Sequence, residues 1–91
     1  PLKADFYAYP VTGSAPLTVA LTDTSVGQPV QRYWVINKGL SVIVLNPGDS
    51  QELYTINEPG LYNVTLNITD AYGSTSEVVK TNYINVLEFP P

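Results

Sequence analysis

From Tyr62 to Thr69 apolar and polar residues alternate without a break. Tyr62, Val64, Leu66 and Ile68 take one parity; Asn63, Thr65, Asn67 and Thr69 take the other. Side chains two apart share a face only in an extended chain, so this pattern is that of a half-buried β-strand and not of a helix. Pro59-Gly60 breaks the backbone before it, and Asp70-Ala71-Tyr72-Gly73 turns the chain after it. A strand with three aliphatic residues and a tyrosine ring on one side needs a second layer to cover them. The stretch Glu58–Asp70 is therefore the centre of a sheet, and the rest of the chain must supply its neighbours.

The other segments read as strands of the same kind. Phe6 and Ala8 share one face of an Ala4–Tyr9 strand, with Asp5, Tyr7 and Tyr9 on the other. Leu17, Val19 and Leu21 alternate with Thr18, Ala20 and Thr22. Val30–Ile36 carries Trp34, the only tryptophan. Leu40–Leu45 is mostly apolar on both faces. Gln51–Ile56 and Ser74–Leu87 complete the set. Between them lie turn clusters: Pro10–Pro16, which reads as a loop, Asp23–Pro29, Asn37-Lys38-Gly39, and Asn46-Pro47-Gly48-Asp49. No window shows helical periodicity. About seven short strands with turns at such intervals predict an all-β, antiparallel sandwich or barrel. The lone Trp on the third strand points to an immunoglobulin-like sandwich, and Tyr62, just after the corner, holds the place of a tyrosine-corner residue.

Composition narrows the function classes. A chain of 91 residues suffices for one domain with a modest core. Charged residues make up only 13%, about half the usual share, so the surface is built from Thr, Ser, Asn, Gln and Tyr. The four basic residues, Lys3, Arg32, Lys38 and Lys80, are scattered and form no footprint for a phosphate backbone, which argues against nucleic acid as a partner. With no cysteine there is neither a disulfide framework nor a thiolate metal site. The longest apolar run, Val42–Leu45, is far too short for a helix across a bilayer, so membrane insertion is not expected. The chain lacks Met, and Pro1-Leu2-Lys3 and Phe89-Pro90-Pro91 read as linkers. Residues 1–91 are thus expected to form a single domain of a larger protein.

Several short pieces resemble the PKD (polycystic kidney disease) domain of the prokaryotic kind. They are Ala4-Asp5-Phe6, Ala15–Val19 leading to Leu21–Ser25, Tyr33-Trp34, Glu58–Tyr62 with Val64, Leu66 and Ile68, Asp70–Gly73, and Asn82–Val86. They occur in the family's order and cover nearly the whole chain. One departure is clear. The family's usual Trp-Asp-Phe-Gly-Asp-Gly reads Trp34-Val35-Ile36-Asn37-Lys38-Gly39 here, so Ile36 takes the aromatic position and both aspartates are gone. Any role of those acids cannot be carried over. The resemblance implies a non-catalytic module of surface-layer proteins, adhesins and secreted hydrolases. Its implied place is extracellular or at the cell surface, where it serves as a spacer or contact unit beside other domains. The alternative it leaves open is an accessory module of a secreted hydrolase that binds polysaccharide or fibrous protein.

Candidate sites are few. Without His or Cys, and with no serine in a nucleophile-elbow pattern, no catalytic set is expected. The acids lie mostly at turns. Asp23, Asp49, Glu52 and Asp70 offer hard oxygen ligands, but no segment concentrates them as a calcium loop does. Asp23 and Asp70 fit Asx-turns better, and no metal or cofactor is expected. Two sequons, Asn63-Val64-Thr65 and Asn67-Ile68-Thr69, lie on the polar face of the central strand, about 13 Å apart. They are candidate N-glycosylation sites, although Asn and Thr also alternate wherever a face is simply polar. Tyr7, Tyr9 and Tyr72 read as outward aromatics able to contact sugar or protein, with Tyr33 and Tyr83 as further candidates. Val42, Ile43, Val44 and Leu45 form a candidate interaction edge, should that strand lie at a sheet margin. The expected partners are neighbouring domains or other surface proteins, with polysaccharide as the further class.

Overall fold

A computed structural model describes residues 1–45 and 49–88. Residues 46–48 of the Asn46–Asp49 turn and the exit segment 89–91 lie outside the described residues. Eight strands follow one another: β1 (Phe6–Tyr9), β2 (Thr12–Ser14), β3 (Leu17–Asp23), β4 (Pro29–Lys38), β5 (Ser41–Leu45), β6 (Gln51–Ile56), β7 (Gly60–Asp70) and β8 (Thr75–Leu87). They form a three-stranded sheet in the order β1-β3-β6 and a five-stranded sheet in the order β2-β8-β7-β4-β5. The central strand of the sequence pattern, β7, lies in the middle of the larger sheet between β8 and β4.

The core fills the space between the sheets. Phe6, Val19, Leu21 and Ile56 come from the smaller sheet; Trp34, Ile36, Tyr62, Val64, Leu66, Ile68, Ile84 and Val86 come from the larger. Every one belongs to the inward parity of its strand. Phe6 meets Trp34 edge to face with ring centroids 5.4 Å apart, a favoured quadrupole arrangement. Ile36 is fully buried where the family resemblance leads one to expect an aromatic ring.

Two local departures from the sequence reading have physical causes. The segment read as the Pro10–Pro16 loop contains β2, which pairs parallel with β8 (Thr12 opposite Asn85, Ser14 opposite Leu87). Pro10 has no N–H for the ladder, and the chain leaves the smaller sheet there and joins the larger. The hairpin after β4 turns on Gly39-Leu40, with Lys38 opposite Ser41. Gly39 has φ +55°, and a two-residue loop with glycine at its first position fits a type II′ turn. Leu40 is therefore the exposed hairpin tip and not the first residue of a strand.

β8 carries a wide irregularity. Tyr62 pairs with Ile84 and Val64 with Lys80, so Asn63 faces three residues of β8. Asn82 takes φ +51° there, and its N–H donates to Asn63 Oδ1 at 2.8 Å. The bulge swings Tyr83 inward, where it packs edge to face on Phe6 at 5.7 Å and accepts the Ala8 N–H on its hydroxyl at 3.2 Å. Tyr83 is thus a seal between the sheets, not an outward aromatic. Lys80 comes in beside it. Its ammonium lies 4.7 Å from the Phe6 ring centroid and 5.1 Å from that of Tyr83, and donates to Phe6 O.

Candidate functional site

The corner before β7 is tied by two side chains. Tyr62 Oη donates to Glu58 O, four residues upstream, at 2.8 Å. Lys38 Nζ donates to the next carbonyl, Pro59 O, at 2.8 Å and lies 5.6 Å from the Tyr62 ring centroid. Gly60, at φ +145°, leaves room for this, because a Cβ there would overlap Lys38 Cδ. The lysine that replaces a family aspartate has become a clasp between the β4–β5 hairpin and the corner. At the opposite end, Arg32 Nε donates to Asp23 Oδ2 at 2.6 Å, while Asp23 Oδ1 accepts the Ser25 N–H at 2.8 Å. Burial pushes the Asp23 carboxyl up, but hydrogen bonds from Ser25 and from the Arg32 guanidinium outweigh it and hold the group below its ordinary value. Asp5 is also held low, first by the Phe6 N–H and then by the charge of Lys80. Asp70 Oδ1 accepts N–H groups of Tyr72 and Ser74, both at 2.9 Å. Asp23 and Asp70 thus serve the turns they sit in.

The expected edge is divided by its own alternation. β5 is a margin of the larger sheet. Val42 and Val44 face out, 57% and 45% exposed, whereas Ile43 and Leu45 turn in against the core. The outward tyrosines lie on different surfaces. Tyr7 and Tyr9 share the outer face of the smaller sheet; Tyr72, 94% exposed, sits in the β7–β8 turn at one pole. Tyr33 is on the outer face of the larger sheet. These tyrosines form no single row.

Asn63 and Asn67 both lie half-buried on that outer face of the larger sheet. Asn63 is committed through its oxygen to the Asn82 N–H. Asn67 Nδ2 donates to Glu77 Oε2 at 3.3 Å, so its carbonyl oxygen faces no partner on β8. Directly across on β4 is Tyr33, and the adjoining pair is Gln31 with Thr69. Gln31, Arg32, Tyr33, Asn67 and Thr69 enclose a shallow cleft of about 370 Å³. A one-residue bulge between Pro29 and Gln31 re-aims β4 beside it. Sequence reasoning did not find this cleft, because its two walls meet only through the β4–β7 register. The available signal was the parity of Tyr33, opposite to that of the core Trp34. A second cleft, of about 160 Å³, opens between the sheets beside Lys38, Tyr54 and Tyr62. Among the described residues no group of three or more acidic side chains comes together as a metal site.

Two facing sheets, a buried central Trp and a hydrogen-bonded tyrosine corner define an immunoglobulin-like β-sandwich. The family model of the PKD domain matches residues 4–82, and the chain belongs to that family. PKD domains are generally non-catalytic modules, and typically extracellular ones that serve structure or interaction. No individually curated protein matches the chain. No helix among the described residues is long and apolar enough to cross a membrane.

Proposed function

We propose that this domain is a structural spacer and protein-contact module of a larger extracellular or cell-surface protein, of the surface-layer type. The observation that carries the reading is axial. Lys3 bridges Val26 at the pole that also holds the β7–β8 turn. Leu87 lies at the other pole, beside Ser14 and Ala15. The body measures 51 × 22 × 18 Å, so a chain entering at residue 3 and leaving at residue 87 is carried along the long axis. Its radius of gyration of 13.5 Å exceeds the ~12 Å of an average compact chain of this size. The Val42–Val44 edge, apolar and without a charged side chain on its outward parity, supports contact with a neighbouring domain or a second surface protein.

The test is made in the full-length parent protein. Deleting the domain should bring labels on its flanking segments closer by roughly the 51 Å length of the body, and a foreign sandwich of equal length should restore the spacing. Restoration of spacing by an equally long flexible linker would overturn the rigid-spacer reading. For the contact role, Val42→Lys with Val44→Lys should weaken docking of the neighbour. Unchanged docking would remove that part.

A further inference from the structure

We propose that the cleft between the Gln31–Thr69 and Tyr33–Asn67 pairs seats a neutral pyranose sugar. Its volume, about 370 Å³, is at the small end of ligand sites, enough for one or two rings. Tyr33, 42% exposed, offers an apolar platform for the C–H face of a sugar. Gln31 and Asn67 bring amides that both donate and accept, and Thr69 brings a hydroxyl, which match the mixed donors and acceptors of sugar hydroxyls. Glu77 takes one hydrogen of Asn67 Nδ2 and thereby leaves Oδ1 and the second hydrogen to the cleft.

The same residues argue against other ligands. The one positive charge among the described residues that line the cleft, Arg32, is matched by Asp23 at 2.6 Å, so little remains to hold an anion. A purely apolar ligand would leave two amides and a hydroxyl without partners. A peptide adding as a strand needs a free edge, whereas β4 and β7 already pair with each other along this stretch.

A pyranose can reach this seat from two sources. One is a free oligo- or polysaccharide. The other is a glycan attached at Asn67 itself, since Asn67-Ile68-Thr69 is a sequon. In that case Asn67 Nδ2 attacks C1 of a lipid-phosphate-linked glycan donor. A C–N bond forms, the C–O bond to phosphate breaks, and the lipid phosphate leaves with the electron pair of that bond and ends with the proton given up by Nδ2. The remaining N–H still serves Glu77. Asn63 has no facing aromatic, because its β4 partner is Asn37.

Two arms separate the sources. In the first, unglycosylated protein is titrated with cellotetraose, chitotetraose and mannotetraose and followed by amide NMR. Binding of a free sugar gives saturable shifts at Gln31, Tyr33, Asn67 and Thr69, weakened at least tenfold by Tyr33→Ala and unaffected by Tyr72→Ala. In the second, protein from a glycosylating secretory host is mapped by peptide mass. An attached sugar appears at Asn67, with ring protons shifted upfield by the Tyr33 ring and returned to ordinary positions in Tyr33→Ala. Circular dichroism confirms that each variant keeps its sheets. Either result supports the seat. No shift with all three sugars, together with an Asn67 that is bare or carries an unshifted sugar, overturns it.

Discussion

At the scale of single residues, a few polar groups do specific work in a domain poor in charge. Tyr62 Oη satisfies the Glu58 carbonyl at the corner. Tyr62→Phe keeps the buried ring and loses one hydrogen bond, so a loss of about 1 kcal/mol is expected, measured as a lower urea midpoint with unchanged slope. Asp23 is an acid-sensitive group, as is Asp5. The native carboxyl of Asp23 is held below its ordinary value, so the stability it contributes is present above the unfolded carboxylate pKa of about 4. That contribution is lost as pH falls through the native value. Urea midpoints should therefore drop below about pH 4, and Asp23→Asn should reduce that dependence while costing about 2 kcal/mol at neutral pH. A pH profile identical to wild type would refute the assignment. Trp34 Nε1 is buried with no hydrogen-bond partner among the described residues.

The elements show how margins are managed unequally. β1 is one of the two edges of the smaller sheet, β6 being the other, and side chains of β8 close it. Ser76 Oγ accepts the Ala4 N–H at 2.9 Å, Lys80 reaches Phe6 O, and Tyr83 accepts the Ala8 N–H. An edge whose polar groups are already engaged is a poor template for another strand. Tyr83→Phe should leave the Ala8 N–H without its partner, and hydrogen exchange at Ala8 should speed while core amides of β7 stay protected. β5 has no such cover among the described residues and presents Val42 and Val44 instead. That contrast favours β5 over β1 as the proposed contact surface.

On the scale of the whole molecule, one continuous core joins the two sheets. Trp34 from β4 and Phe6 from β1 touch within it, so neither sheet keeps its apolar face covered without the other. Unfolding should be two-state, with Trp34 fluorescence and far-ultraviolet circular dichroism giving superimposable urea transitions. Separate transitions would mean that the sheets open independently. The polar clasps sit at both ends of this core, Lys38 at one and Arg32–Asp23 at the other, which suits the proposed spacer role.

Much of this was legible from local order. The alternation of Tyr62 to Thr69, the parity of Phe6 and Ala8, the lone Trp34 and the glycines at turns fix which side chains go inward. The reason is that a strand's two faces are set by its own period of two. The resemblance to the PKD family was carried by the same short pieces, and the family-model match over residues 4–82 shows the membership. What residues 1–91 could not show in linear form was anything that depends on pairing between distant strands. β2 is three residues that form a strand only because β8 lies beside them. Tyr83 points inward only because the bulge adds residues opposite Asn63. Lys38 finds Pro59, Arg32 finds Asp23, and Tyr33 finds Asn67 across register and sheet. A period of two determines a face; only the register decides which neighbours share it.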